Sequence, residues 1–128
     1  MKFTIPGTPV AKGRPRMGRY GTYTPQKTVE YENLVKIAAP QGEPLQGALR
    51  ARIELYFPIP KSKPKKQREA MQAGEIRPTK KPDCDNCIKS ITDALNGIAY
   101  IDDSQIVSIE CEKWYSDRPR AEVMIDYV

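Results

Sequence analysis

The chain has 128 residues but no histidine, and it has only three cysteines and one tryptophan. Without histidine, a serine–histidine triad and a zinc site built from imidazole ligands are both excluded. An odd number of cysteines in a chain of this size favours a reducing, cytoplasmic setting over a disulfide scaffold. Carboxylates, lysines and tyrosines therefore remain as the side chains available for chemistry.

Long apolar runs are also missing. No segment is long enough to cross a bilayer, and the start of the chain, MKFTIPG, lacks the apolar core of a secretory signal. We therefore expect no membrane partner. At this length we expect one domain over residues 1–128 with a single hydrophobic core.

Acidic side chains are absent from the start of the chain and abundant at its end. Residues 1–29 contain six basic side chains and no acidic one, and residues 61–81 contain eight basic against two acidic. Residues 82–128 contain ten acidic side chains against four basic. Two cationic segments beside an anionic one fit a protein that holds a phosphate backbone and activates one of its bonds. Solvated charged faces are the alternative explanation.

Strand patterns occur at both ends of the chain and in its middle. Alternating apolar and polar residues predict strands over 2–6, 48–57, 105–115 and 120–127. In the second of these, one face carries only apolar side chains, namely Leu49, Ala51, Ile53, Leu55 and Phe57.

Helices are predicted between these strands. One runs over 24–39 with Thr24 as N-cap and an apolar side of Val29, Leu34, Val35 and Ile37. A short helix is predicted over 67–73, and the clearest one over 85–96, with Asp85 as N-cap. Residues 10–24 have no helical period, and we predict a flexible loop there.

The most informative segment is KPDCDNCIKSITDALNGIAYIDDSQ, residues 81–105. Asp83 and Asp85 lie at the start of the predicted helix, and Asp102 and Asp103 precede a predicted strand. Grouped carboxylates repel one another, and a hard divalent cation is the commonest reason for a fold to gather them. Helix capping by Asp85 and turn formation by the second pair are the structural alternatives.

Cys84 and Cys87 form a C-x-x-C pattern that could indicate zinc or redox chemistry. Only Cys111 remains as a further soft ligand, and no well-marked strand precedes the motif as in a redox site. Both cysteines fall on the apolar stripe of the predicted helix, together with Ile88, Ile91, Ala94 and Leu95. We therefore interpret them as small core side chains.

The polar side of the same helix carries Asn86, Lys89, Ser90 and Asp93. Lys89 lies four residues after Asp85 and four before Asp93, so a surface salt bridge accounts for it. The functional alternative is a cation beside a metal site, where it stabilises charge on a phosphate or on an attacking hydroxide.

Three motifs in this order, KPDCDNCIK, DALNG and DDSQI, resemble the RusA family of crossover (Holliday) junction endodeoxyribonucleases, many of them prophage-encoded. The opening FTIPGTPVAKGRPR and the following YTP are similar to phage-type members, so the resemblance covers essentially the whole chain. Some members carry a basic residue directly before the first aspartate, where this chain has Pro82 preceded by Lys81.

The resemblance implies an α+β fold, a small mixed sheet of about four strands with two to three helices, in a homodimer. It implies that Asp83, Asp85 and Asp103 are metal-binding catalytic acids and that Lys89 is the catalytic lysine. Asp102 and Asn86 are further candidates for the metal site. The implied metal is Mg²⁺, with Mn²⁺ as a substitute, and no small-molecule cofactor is expected.

The implied reaction is paired, symmetric hydrolysis of four-way DNA junctions in recombination and repair, for which a two-fold symmetric dimer presents two equivalent sites. The expected phosphate contacts come from the basic segments, namely Lys12, Arg14, Arg16, Arg19, Lys65, Lys66, Lys80 and Lys81. Tyr20 and Tyr23 are candidates for stacking on unpaired bases, with ordinary packing as the alternative. A second hypothesis is a module of the same fold that binds branched or single-stranded DNA without cutting it.

Overall fold

The computed structural model describes residues 1–128, which form a mixed four-stranded sheet with helices. The order across the sheet is β1–β6–β4–β5, in which β4 and β5 run parallel and the other neighbours run antiparallel. The bounds of these strands are β1 Lys2–Pro6, β4 Leu49–Pro58, β5 Ile106–Ser116 and β6 Arg120–Tyr127. The predicted α+β class with a small mixed sheet is confirmed.

A second, two-stranded sheet pairs β2 (Arg16–Gly18) with β3 (Gly21–Tyr23) in an antiparallel hairpin. The prediction of a flexible loop over 10–24 was therefore wrong for its second half. The hairpin carries no buried side chain, so its residues lack the alternation of buried and exposed positions that marks a strand.

Three helices connect the strands, with bounds α1 Gln26–Ala38, α2 Lys65–Gln72 and α3 Cys84–Ala94. The predicted caps were each displaced along the chain. Pro25 occupies the N-cap of α1, so the helix begins after Thr24, which was predicted to cap it. Asp83, and not Asp85, occupies the N-cap of α3, and Asp85 lies in the first turn.

One cluster of 19 buried side chains fills the space between the sheet and the helices. All five predicted core-facing residues of β4 belong to it, because every second side chain of this central strand enters the core. The apolar side of α1 was partly mispredicted. Thr28, Tyr31 and Val35 are its buried residues, whereas the predicted Ile37 is exposed.

No helix of the chain combines the length and apolarity needed to span a membrane.

Candidate metal and nucleic-acid site

Asp83 and Asp85 lie at the N-terminus of α3, where free backbone N–H groups and the helix dipole favour negative charge. The Asn86 amide Nδ2 donates to Asp83 Oδ1 at 2.8 Å. This hydrogen bond is the main cause that lowers the pKa of Asp83 below its ordinary value, with smaller help from Asp85 and Lys81. Asp83 is therefore ionised and, being exposed, accessible from solvent.

The carboxylates of Asp83, at the N-cap, and Asp85, in the first turn, are close neighbours. Neither side chain donates or accepts in an ordinary N-cap hydrogen bond to the helix backbone. The capping alternative, which was considered for Asp85, therefore does not explain this pair. Their remaining oxygen lone pairs face solvent and are available to a cation.

A second acidic group lies at the other end of α3. Asp93 Oδ2 is 3.5 Å from the Lys89 ammonium, and the Asp93 carboxyl group is a close neighbour of that of Asp103. The pKa of Asp103 is raised, and burial is the largest cause. Its contacts with Asp93 and Asp102 add to the rise, while the positive charge of Lys89 opposes it. The Asn96 side chain accepts from the Asp103 backbone N–H at 2.8 Å, which fixes this residue beside the helix end.

Asp102 has a structural role that Asp103 does not share. It caps the short 3₁₀ turn Asp103–Gln105, because its carboxylate accepts from the Ser104 backbone N–H at 3.0 Å. The Gln105 side chain completes the capping box by accepting from the backbone N–H of Asp102 at 3.1 Å. The turn interpretation thus holds for Asp102, whose pKa is lowered by Ser104.

The structure keeps these two acidic groups apart within one chain. Asp85 and Asp93 are eight residues apart on α3, about 12 Å along the axis at the usual helical rise. No group of three or more His, Cys, Asp or Glu side chains lies close enough to hold a metal ion. Mg²⁺ is commonly bound through one or two carboxylates, with waters and substrate phosphates as its other ligands. The solvent-facing pair Asp83 and Asp85 fits that pattern.

Lys12 lies between two carboxylates and not in open solvent. Its ammonium is 3.1 Å from Glu32 Oε2 on α1 and 3.4 Å from Asp93 Oδ2 on α3. Burial alone lowers the pKa of Lys12, but the hydrogen bonds and charges of Glu32 and Asp93 outweigh it and raise the pKa. Among the predicted phosphate contacts, Lys12 is therefore already paired within the protein.

The other predicted contacts near the start of the chain are exposed. Arg14, Arg16 and Arg19 lie on or beside the β2–β3 hairpin, and none of them pairs with a carboxylate. A cavity of about 610 Å³ lies beside the first acidic pair. Its lining includes the cations Arg14, Lys27 and Lys81 together with Asp83 and Asn86. A phosphate in this cavity would meet positive charge directly beside Asp83.

A second basic surface follows α2. A groove of about 560 Å³ is lined by Lys61, Lys65 and Arg68 on one side and by Asp117 in the β5–β6 turn on the other. Lys66, Lys80 and Lys81 are also exposed. These cations can approach a phosphate backbone without disrupting the fold.

The segment between α2 and α3 is held against β5. The Arg77 guanidinium lies 3.4 Å from the centre of the Trp114 ring, and its Nε donates to the Lys113 carbonyl at 2.6 Å. The Lys113 ammonium in turn donates to the Lys80 carbonyl at 2.6 Å. These contacts fix the chain that leads into Asp83.

The three cysteines are free thiols. Cys87 belongs to the core, and burial raises its pKa to about 12. Cys84 is half-buried, and its Sγ lies 3.9 Å from the Cys111 carbonyl oxygen. Core packing was correctly predicted for Cys87 and in part for Cys84.

Sequence reasoning misplaced one residue of this region, missed a second, and correctly predicted only one contact of a third. Ser90 was placed on the polar side of α3 but is fully buried, where its hydroxyl lies 2.6 Å from the Val10 carbonyl oxygen and 2.9 Å from that of Cys87 and donates its one proton there. Glu32 was not singled out, since its partner Lys12 is distant in sequence. Asp93 was noted only as a salt-bridge partner of Lys89, and its spacing of four residues was the signal for that contact.

A small α+β sheet protein with exposed carboxylates beside a cation-lined cavity has features of proteins that act on phosphodiesters. The family model for the Endodeoxyribonuclease RusA family matches residues 6–126. The chain therefore belongs to the RusA endodeoxyribonuclease family. It is also similar to "Uncharacterized protein YqaN" of Bacillus subtilis (strain 168), with 42% identity over 134 residues that cover 98% of this chain and 94% of the relative.

Proposed function

We propose that this chain is a Mg²⁺-dependent endonuclease that resolves four-way DNA junctions by paired, symmetric cuts, acting as a homodimer. The observation that carries the proposal is the exposed pair Asp83 and Asp85 beside a cation-lined cavity, in a chain of the RusA family. A carboxylate pair at a DNA-facing surface repels phosphate unless a cation lies between the carboxylates and the phosphate. A bound metal ion would turn this repulsion into attraction.

Asp83 and Asp85 would hold the metal through their free carboxylate oxygens. When bound, Mg²⁺ supplies an activated water and neutralises charge on the scissile phosphate. Asn86 keeps Asp83 ionised and oriented through its 2.8 Å hydrogen bond. Lys89 lies one turn further along α3, where its ammonium can stabilise negative charge that develops on the phosphate.

The basic surfaces would hold the DNA arms. Arg14, Lys27 and Lys81 line the cavity beside Asp83, and Lys65 belongs to the groove along α2. Contacts of this kind fix the register of a phosphate backbone and carry no sequence information directly. The affinity for DNA should therefore fall steeply with salt.

A homodimer suits the symmetry of the substrate, since a four-way junction presents two equivalent strands for cutting. Asp103 lies beside Asp93, near the C-terminal end of α3, and the Lys89 ammonium reaches the same group from the middle of the helix. We assign this group to the same reaction, in agreement with the motif that carries these residues. Junction cleavage should therefore depend on both acidic groups.

A second candidate is a module of the same fold that binds branched DNA without cutting it. The separation of the acidic residues within one chain favours this alternative, because no three of them approach one another. It predicts that removing a carboxylate strengthens DNA binding and changes nothing else.

The two candidates are distinguished with a synthetic four-way junction, in Mg²⁺ and in EDTA, using wild type, Asp83→Asn and Lys89→Ala. We expect symmetric nicks only from wild type with Mg²⁺, and unchanged or tighter junction binding by Asp83→Asn. Cleavage by Asp83→Asn at the wild-type rate would refute the assignment of the metal site. Equal cleavage of linear duplex would refute selectivity for branched DNA.

A further inference from the structure

Four charged side chains from three parts of the chain form one ionic network. Glu32 on α1 pairs with Lys12 at 3.1 Å, Lys12 pairs with Asp93 at 3.4 Å, and Asp93 pairs with Lys89 at 3.5 Å. The same Asp93 oxygen, Oδ2, faces both ammonium groups. Asp93 also contacts the Asp103 side chain, so it touches two residues of the proposed reaction.

The inner part of this network is shielded from water. The side chains of Lys12, Glu32 and Asp93 are only 21%, 16% and 23% exposed, whereas that of Lys89 is 60% exposed. Exposed i,i+4 pairs are weak because their side chains move freely. Because Asp93 is already held by the half-buried Lys12, it is a more rigid partner than a freely moving carboxylate. It therefore restricts the exposed Lys89 ammonium more strongly.

The backbone around Lys12 is held as firmly as its side chain. The Lys12 N–H donates to the Asn86 carbonyl on α3 at 2.9 Å. The N–H of Gly13 donates to Thr28 Oγ1 on α1 at 2.9 Å. On the other side of Lys12, the Val10 carbonyl accepts from the Ser90 hydroxyl at 2.6 Å. Residues 10–13 therefore lie as a strap along α3, between the first acidic pair and Asp93.

We propose that Asp93 is a positioning residue for Lys89, held in place by Lys12 and Glu32. The proposal rests on the proposed nuclease function, in which Lys89 acts on the phosphate. The role of Lys12 changes with it from the expected phosphate contact, because both neighbours of its ammonium are carboxylates of the protein itself. Lys12 then orders the site and does not contact phosphate.

The first test is kinetic and uses Asp93→Asn, which keeps the shape of the side chain but removes its charge. We expect kcat for junction cleavage to fall by about 10- to 100-fold, as for a misplaced catalytic group, with KM within about threefold of wild type. Asp93→Glu, which restores the carboxylate, should recover part of the loss. Asp126→Asn, an exposed aspartate on β6, is the matched control and should keep the wild-type kcat. A wild-type kcat for Asp93→Asn would overturn the proposal.

The second test decides the role of Lys12 through the salt dependence of junction binding in EDTA. As a positioning residue, Lys12→Met lowers kcat and leaves the slope of log K against log salt unchanged. As a phosphate contact, it lowers that slope by about one, and cleavage at saturating junction stays at the wild-type rate. Glu32→Gln should resemble Lys12→Met, whereas Glu30→Gln, an exposed neighbour on α1, should resemble wild type.

The third test needs no cleavage and separates this proposal from the nuclease function. In the ¹³Cε–¹Hε spectrum of the metal-free protein, a restrained Lys89 gives two resolved Hε signals, whereas a mobile one gives a single averaged signal. We expect two signals in wild type and one in Asp93→Asn and in Lys12→Met. Two signals in both variants overturn the proposal.

If wild type fails to cut junctions but this pattern of signals holds, the proposed nuclease function is wrong and the positioning of Lys89 by Asp93 stands. Should Asp93→Asn fail to fold, Lys12→Met and Glu32→Gln carry the same readouts.

Discussion

Adjacent acidic residues in this chain serve different physical purposes. Asp102 satisfies backbone donors of a 3₁₀ turn, while Asp103 lies against Asp93 and Lys89 with a raised pKa. Gln105 links that turn to the segment that leads into β4, because its Nε2 donates to the Leu45 and Gly47 carbonyls at 3.0 Å each. The turn therefore aims Asp103 at the end of α3.

This division of roles can be tested by changing each aspartate alone. Asp102→Ala should lower the free energy of unfolding, because the turn loses its cap, and should retain junction cleavage once folded. Asp103→Asn should abolish cleavage with little change in stability. Urea unfolding and a junction assay provide the two readouts. Loss of cleavage in folded Asp102→Ala would place Asp102 in the reaction.

The thiols give a second prediction for single residues. Cys87 is fully buried and burial raises its pKa to about 12, so it is protonated and shielded near neutral pH. Iodoacetamide at pH 8 should leave Cys87 unmodified in the native protein and modify it in urea, as measured by mass spectrometry of peptides. Rapid native modification would contradict its place in the core.

The site residues could be predicted from motif spacing, but their grouping could not. Spacing along α3 predicts contacts within the helix, including that of Lys89 with Asp93. The contacts of Lys12 with Glu32 and Asp93 join distant parts of the chain, and no local pattern encodes them. Helix capping was misplaced by two residues because Asp83 and Asp85 are both good N-cap residues.

At the scale of elements, the link between α2 and α3 depends on one glycine. Gly74 has a φ of +83°, and an added Cβ would lie 3.0 Å from Trp114 Cζ3, the ring on which Arg77 stacks. Gly47 has a similar φ of +78° with no atom within 4 Å of its added Cβ. The two positions therefore separate backbone strain from a steric clash.

Alanine substitutions at these glycines should differ in their effect on stability. Gly47→Ala should cost about 1 kcal/mol from the left-handed backbone alone. Gly74→Ala should cost at least about 1 kcal/mol more, because the Trp114 ring must shift. An equal decrease in the free energy of unfolding for both variants would contradict this expectation, because it would mean that the Trp114 ring moves aside with no loss of stability.

The β2–β3 hairpin gives a prediction about DNA. Tyr20 is 95% exposed and lies outside the core, with the Arg19 guanidinium 5.9 Å from its ring centre. Tyr20→Ala should leave unfolding unchanged and weaken junction binding by about 1–3 kcal/mol, the usual worth of a base stacked on an aromatic ring. Tyr127→Ala, also exposed, is the control. Unchanged binding by Tyr20→Ala would mean that the ring does not stack on bases.

The elements themselves were predictable where burial alternates. Strand β4 was predicted within one residue because every second side chain enters the core. The hairpin was missed because both its strands are exposed, and the buried side of α1 was misassigned because Thr28 and Tyr31 carry polar atoms. Pattern reasoning detects the contrast between apolar and polar side chains, so it fails where burial and polarity do not correspond.

At the scale of the whole molecule, several buried weak acids are protonated in the folded state. Burial raises the pKa of Cys87 to about 12, and it also raises those of Tyr31 and Tyr100. Between the ordinary pKa of a thiol and the raised value, the unfolded chain has lost protons that the folded chain keeps. Stability is therefore full below the ordinary value and falls as the pH rises through this range.

Urea unfolding between pH 8 and pH 11 tests this dependence. The free energy of unfolding should decrease above about pH 9, by up to about 1.4 kcal/mol per pH unit for each such group. Cys87→Ala should show a shallower decrease, since it removes one of these groups. A free energy that is constant across this range would contradict the burial of these side chains.

The proposal that the chain resolves four-way junctions as a dimer requires two cuts within one bound complex. A supercoiled plasmid with an extruded cruciform, whose base is a four-way junction, gives the most direct measurement. With Mg²⁺, wild type should convert this plasmid to linear product, because both strands are cut before the cruciform is lost. Asp83→Asn should leave the plasmid supercoiled. Accumulation of nicked circles by wild type would contradict paired resolution, and linear product from Asp83→Asn would contradict the assigned metal site.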